Sequence, residues 1–355
     1  MIRGNRATRP DISDLSANEN PFSPSPNAIR ALIDQAATAN RYPDRDGVAL
    51  KTALSVKLGI ARDHIILGNG SCEILDLVAR ACLKPGDEAV LGWPSFPTYR
   101  SVVTRAGASV VSVPLAEHAY DLDAMAARIG AQTTLAIVAN PNNPTGLSIG
   151  QAALDRFLDR LPAQVVVVLD EAYREYVWRP DFPDSLAYVA AGRPVVVVRS
   201  LSKAYGLAGL RIGYAVAPPV LARRIDAERQ HFNTNSMAQA AAVAALADAD
   251  HLAQCVAANA AGLSWLKAQL SALGLFYLPS EANFLLVRVG NGREVHGRLK
   301  DRGVLVKELD AVGLPDCIRV SVGRPHENER FIRALSAVLA GAGTTSAESK
   351  ECVTW

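Results

Sequence analysis

Two runs of four valines, at 165–168 and 195–198, constrain this chain more than any other feature. A continuous β-branched stretch has no polar face, so it reads as a strand covered on both sides, as in a parallel sheet between helices. Five further short apolar runs lie at 64–67, 88–91, 109–113, 134–138 and 212–216. Helix-like segments, for example 71–83 and 151–161, fall between most of them. This alternation predicts a three-layer α/β domain built on a mostly parallel, seven-stranded, doubly wound sheet.

The character changes after about residue 235. Residues 236–273 form an Ala-rich stretch of high helix propensity. Strand candidates at 283–289 and 318–322, with a helix candidate at 293–302, follow it. A chain of 355 residues with 49% hydrophobic residues has room for roughly two domains. The expected organisation is an arm over 1–40 that joins the small domain, a large domain over 41–245, a small α+β domain over 246–340, and a frayed tail over 341–355. The proline-rich stretch at 20–26 resists regular structure. There is no internal repeat.

Charge and cysteine usage exclude several function classes. The formal net charge is +2, with Lys and Arg spread along the chain, so no basic patch points to nucleic acid. Cys72, Cys82, Cys255, Cys317 and Cys352 are odd in number and scattered, which argues against a disulfide framework and a zinc site and suits a reducing compartment. No metal site is expected. The N-terminal stretch has no apolar secretory region, and no apolar run approaches a membrane span. The expectation is a soluble cytoplasmic protein with no membrane or nucleic-acid partner.

The chemistry gathers where strands end. In SLSKAYGLAGLRIGY at 200–214, Lys203 sits just past the end of the second valine run, flanked by Ser200 and Ser202 and followed by Arg211. Open α/β sheets place ligands at that edge, although most lysines are simply surface residues. Gly70 and Ser71 open a helix after another strand, where free backbone N–H groups can cradle a phosphate; an ordinary N-cap serine would look the same. Phe96 offers a flat face, as many core aromatics do. PNNPTG at 141–146 holds the amide of Asn143 in a stiff, heavily specified turn. Asp170 ends the first valine run, where a buried carboxylate needs a positive partner such as a protonated ring nitrogen, unless it merely caps the next helix.

In this order the pieces resemble the fold-type-I pyridoxal-phosphate enzymes, the class I and II aminotransferases. The likeness runs from LSANENPFSPSP to IRVSVG and is strongest to the histidinol-phosphate aminotransferase subgroup, through RYPD at 41–44, PNNPTG, DEAYREY, the lysine segment, FNTNSMAQ and SEANFLL. The resemblance implies the PLP transferase fold and pyridoxal 5'-phosphate as cofactor. It implies that Lys203 forms the Schiff base and moves a proton, which requires a lowered lysine pKa. Asp170 would keep the pyridine nitrogen protonated, and Asn143 and Tyr173 would hydrogen-bond the ring oxygen. Phe96 would stack on the ring. Gly70, Ser71, Cys72, Ser200, Ser202 and Arg211 would surround the phosphate, with Arg211 as a bidentate grip. Tyr42 would reach the phosphate of a neighbouring subunit, making the active unit a homodimer. Arg319, with Asn20, Phe22 and Lys307, would line the substrate's place.

The small-molecule partners implied are an amino donor and a 2-oxo acid such as 2-oxoglutarate. Phe22 stands where the subgroup usually carries a tyrosine, and Lys307 where it usually carries a second arginine, a point charge in place of a fork. His231 replaces a proline common before the FN motif. Histidinol phosphate is the first candidate donor. An aromatic or specialised amino acid is the second, and a decarboxylation resembling that of the threonine-phosphate decarboxylases is a third reading. A fused transcriptional regulator fits poorly, because only a short arm precedes the fold.

Overall fold

The computed structural model describes residues 12–340. The tail expected at 341–355 therefore lies outside the described residues, as does Cys352. In chain order, the chain forms β1 (Ser13–Asp14), α1 (Pro26–Ala36), α2 (Val48–Leu58), β2 (Ile65–Gly68), α3 (Ser71–Cys82), β3 (Glu88–Trp93), α4 (Thr98–Arg105), β4 (Ser109–Pro114), α5 (Leu122–Ala127) and β5 (Thr133–Ala139). It continues through α6 (Gln151–Arg160), β6 (Val166–Asp170), α7 (Ser185–Ala190), β7 (Val195–Ser200), β8 (Gly213–Val216), α8 (Pro219–Asp226), α9 (Ser236–Ala247) and α10 (Ala249–Ala272). Then follow β9 (Phe284–Arg288), α11 (Gly292–Lys300), β10 (Val304–Leu305), β11 (Lys307–Glu308), β12 (Cys317–Ser321) and α12 (Pro325–Ala340).

The chain divides into two units. The larger comprises Glu19–Ala260 and Leu278–Asn283. Its seven-stranded sheet runs in the order β2-β8-β7-β6-β5-β3-β4. Six strands are parallel, and β8 runs against both its neighbours. Both valine runs are fully buried central strands, as their lack of a polar face requires. The reversal at β8 goes with a connection that holds no crossover helix. Only residues 201–212 separate β7 from β8, with a single short 3-10 turn at Ala208–Leu210. A parallel crossover needs a dozen residues or more and usually a helix. The chain therefore turns back at the edge where β7 ended, carrying Lys203 and Arg211 in one loop.

Residues 19–40 cluster with this larger unit rather than with the small one. The proline-rich stretch gives way to a helix at Pro26, because Ser25 Oγ accepts the Ala28 N–H at 3.1 Å and Pro26 occupies the first helical turn. The Ala-rich stretch is two helices. Asp248 ends α9 and its carboxylate accepts the His251 N–H at 3.2 Å, capping α10.

The smaller unit holds the described residues up to Asn18, Ala261–Tyr277, and those from Phe284 onward. It contains the antiparallel sheet β11-β12-β9 and the short pair β1-β10. Each unit has its own core, the smaller one built on Leu266, Leu285, Ile318, Phe331 and Leu335.

Candidate functional site

The carboxyl ends of β2, β3, β5, β6 and β7 and the start of β8 lie on one edge of the large sheet, and the motif residues come from those ends. Asp170, the last residue of β6, is 5% exposed. Its Oδ2 accepts the Tyr99 hydroxyl at 2.8 Å, and its Oδ1 accepts the Ala172 N–H at 3.1 Å. Burial pushes its pKa up to about 6; the bonds from Tyr99 and Ala172 oppose that rise, as does the charge of Lys203. Both of those hydrogen-bond donors are neutral.

Tyr99 is the site residue that motif reading passes over. It lies on α4, one helical turn after Phe96, and meets that ring edge-on at 5.6 Å and 86°. Burial and the neighbouring Asp170 hold its hydroxyl well above the usual phenol range, so it remains a neutral donor. The i, i+3 spacing from Phe96 was the available signal; the aspartate it meets lies 71 positions away.

Lys203 follows β7, with its Nζ 5.8 Å from the Tyr173 ring centroid. Asn20 Nδ2 donates to the Ala204 carbonyl at 3.0 Å, and its Oδ1 accepts the Phe22 N–H at 2.9 Å, so Asn20 and Phe22 lie beside the lysine loop. Behind the edge, Arg199 pairs with Glu171 at 2.8 Å, with side chains 12% and 1% exposed. This buried pair joins the residue after Asp170 to the residue before Ser200.

An anion cup forms at the start of α3. Gly70 takes the left-handed φ of +82°, and a Cβ there would stand 2.3 Å from Arg211 Nη2. A Cβ on Gly213 would stand 2.9 Å from the Ser71 backbone nitrogen. Arg211 Nη1 donates to the Ala208 carbonyl at 3.0 Å and to Ser202 Oγ at 3.4 Å, while Ser200 Oγ accepts the Ser202 N–H at 3.1 Å. Cys72 follows in the first turn of α3; burial raises its thiol pKa, as does the charge of Asp170. Glu73 reaches back to the Asn69 N–H and accepts Asn233 Nδ2 at 2.7 Å, tying the FNTNS segment to the cup. Hydroxyls, a guanidinium and helix N-terminal N–H groups are the donor set of a phosphate site.

Three further expected site residues come from other elements. Tyr42 is 82% exposed and its ring stacks on Phe232 at 4.6 Å. Its loop is well anchored, because Asp44 accepts the Val48 N–H at 2.7 Å and Gln239 Nε2 donates to the Asp44 carbonyl at 2.9 Å. Arg319 and Lys307 belong to the smaller unit, opposite one another across β11 and β12. Directly opposed antiparallel residues share a face. Arg319 Nη2 donates to the Ser16 carbonyl at 2.7 Å, and its guanidinium lies 5.3 Å from the Phe284 ring. Among the described residues no cluster of His, Cys, Asp or Glu could hold a metal ion. No described helix is long and apolar enough to cross a membrane.

Comparison with known proteins gives the family. Residues 10–335 match the family model for aminotransferase class I and II. The histidinol-phosphate aminotransferase of Moorella thermoacetica is 46% identical over 332 residues, covering 93% of this chain and 86% of that protein. Histidinol-phosphate aminotransferase 1 of Cupriavidus pinatubonensis is also 46% identical, covering 92% of this chain and 88% of that protein. The crystal structure of the Sinorhizobium meliloti histidinol-phosphate aminotransferase in complex with pyridoxal-5'-phosphate superposes with a TM-score of 0.89, at 32% identity, covering 93% of this chain and 92% of that one.

Proposed function

The chain belongs to the class I and II aminotransferases, and from that premise we propose that it uses pyridoxal phosphate to exchange the amino group of histidinol phosphate with a 2-oxo acid. The observation that carries this reading is the single sheet edge on which a lysine, a buried aspartate, an asparagine-bearing turn and a phosphate-type cup converge. The cofactor fits on two counts. Asp170 is buried with only neutral hydrogen-bond donors, a deficit that a protonated ring nitrogen would relieve. With no Cβ at Gly70 and Gly213, the Arg211 guanidinium and the Ser71 backbone N–H pack directly against them, which brings together donors that suit a phosphate.

Pyridoxal phosphate supplies an aldehyde that condenses with amines and a ring that accepts electron density from the carbon losing its proton. The protein does the rest. Lys203 Nζ would be the amine that holds the aldehyde and the base that moves the proton. Asp170 would keep a proton on the ring nitrogen, Asn143 and Tyr173 would donate to the ring oxygen, and Phe96 would cover the ring. Ser200, Ser202, Arg211 and the backbone at Gly70–Ser71 grip the phosphate.

Arg319 is the anion grip for the substrate, with Lys307 on the same face of β11 and β12. Two adjacent cations suit a phosphate monoester, which carries more charge than a carboxylate. A second reading, an amino-acid donor, draws on Phe22, which lacks the hydroxyl usual at that position. Single-turnover rates with histidinol phosphate, phenylalanine and other amino acids separate the two; a faster reaction with any amino acid contradicts the first. Arg319→Ala should lower kcat/KM for the true donor by about 10- to 100-fold, the worth of a hydrogen bond to a charged group. Unchanged kinetics would remove Arg319 from the site.

The exposed Tyr42, held on a well-anchored loop, supports a homodimer in which each chain completes its partner's phosphate site. Sedimentation of the active enzyme should give the mass of two chains, and an active, stable monomer would contradict this. The unpaired described cysteines suit the reducing cytoplasm.

A further inference from the structure

Ser95 and Asn142 immediately precede the two residues assigned to the cofactor's face and ring oxygen, Phe96 and Asn143. Both are buried, at 0% and 1% exposure. The ladder between β3 and β5 stops at the pair Leu91–Ile137, before either loop begins. Beyond it, Ser95 Oγ donates to Asn142 Oδ1 at 2.7 Å, linking the two loops side chain to side chain. Ser95 Oγ also lies 2.9 Å from the Tyr120 hydroxyl.

The direction of this chain follows from proton counting. A serine hydroxyl has one proton, and Asn142 Oδ1 can only accept. The proton shared with Tyr120 must therefore come from the phenol. Asn142 Nδ2 spends its protons on the Pro94 carbonyl at 3.2 Å and Thr145 Oγ1 at 3.1 Å, which settles its amide orientation. Burial pushes Tyr120 up to about 12, so it stays a protonated donor at any working pH. Every rotor in the chain thus has one assignment.

A fully satisfied buried network of this kind gives a single arrangement, whereas apolar packing tolerates several. We propose that the Ser95–Asn142 hydrogen bond, oriented by Tyr120, is the positioning link that holds Phe96 and Asn143 in register about the cofactor ring. The proposal rests on the reading of the site as a pyridoxal phosphate site. Removing the link leaves Asn142 Oδ1 without its hydroxyl donor and the bond from Asn142 Nδ2 to the Pro94 carbonyl as the remaining tie between the loops, which loosens the turn that carries Asn143 and weakens the donor to the ring oxygen.

The test reconstitutes the holoenzyme with pyridoxal phosphate and reads the pH midpoint of its visible absorbance, together with the cofactor dissociation constant. A donor to the ring oxygen favours its deprotonated form and so lowers the midpoint. In Ser95→Ala the midpoint should rise by about one unit, the worth of weakening one charge-assisted hydrogen bond, with roughly tenfold weaker cofactor retention. Tyr120→Phe, which keeps the ring and loses only the orienting proton, should move it the same way by less; it decides the matter if Ser95→Ala does not fold. Glu171, Tyr99, Tyr173, Cys72, Lys203 and Arg211 keep their identity in both variants; Tyr120, which also lies near Asp170, is changed only in Tyr120→Phe, and as a neutral phenol its loss removes no charge. Folded variants with the wild-type midpoint would overturn the proposal. Wild-type protein that binds no cofactor would overturn the reading beneath it, a distinguishable result.

Discussion

Lys203→Ala is expected to lower turnover by roughly 1,000-fold or more, the scale set by losing a general base that is also the covalent anchor. The cofactor should still bind, because the cup of Gly70, Ser71, Ser200, Ser202 and Arg211 is untouched by the change. Equilibrium dialysis with pyridoxal phosphate should find binding weakened but present, and dialysis or dilution should now remove the cofactor freely. The combination matters. A variant that neither binds nor turns over has lost its fold, and one that turns over normally has its base elsewhere. The geometry behind the expectation is the loop 201–212, which forms no crossover helix, returns at the sheet edge where β7 ended and so keeps Lys203 and Arg211 together.

Asp170→Asn should separate function from stability. Without the cofactor, burial raises the Asp170 pKa from 3.8 to about 6. The folded apoprotein therefore keeps a proton there through a pH range in which the unfolded chain has lost it. Where the folded state binds more protons, stability falls as pH rises. The window runs from about 4 to about 6, and the loss across it is about 3 kcal/mol. Asparagine does not titrate, and it can still accept the Ala172 N–H while donating to Tyr99 Oη. Urea titrations of the apoproteins at pH 8 should thus find Asp170→Asn the more stable, with the gap closing below pH 4. Turnover of the holoenzyme should meanwhile fall by about 100- to 1,000-fold, because the ring nitrogen loses its charged partner. An apoprotein variant less stable than wild type at pH 8 would contradict the view that Asp170 waits for a cation.

The seven strands of the large sheet were readable because each is a short apolar run, and β-branched residues buried on both faces leave few other assignments. The reversed direction of β8 was not read, because the twelve residues of 201–212 are at the lower limit of a crossover and their length does not settle the direction. The split at Asp248 was hidden by alanine, whose propensity favours one helix over two and says nothing about a carboxylate capping the second. At the site, Lys203, Asn143 and Gly70 stood out because each sits beside a strand end in a stretch rich in glycine, proline or serine, and Asp170 because a carboxylate ends a run of valines. Tyr99, Ser95 and Asn142 did not stand out. Ser95 meets Asn142 across 47 positions and Tyr99 meets Asp170 across 71, and such pairings depend on sheet order, which one sequence does not reveal.

The most direct test of the central claim is borohydride reduction of the purified holoenzyme followed by peptide mapping. Reduction makes the link between cofactor and lysine permanent, so the label reports which amine held the aldehyde. The account predicts the label in the peptide containing SLSKAYGLAGLR, on Lys203 and on no other residue. Label on any other lysine, or a reduced protein carrying none, would contradict it.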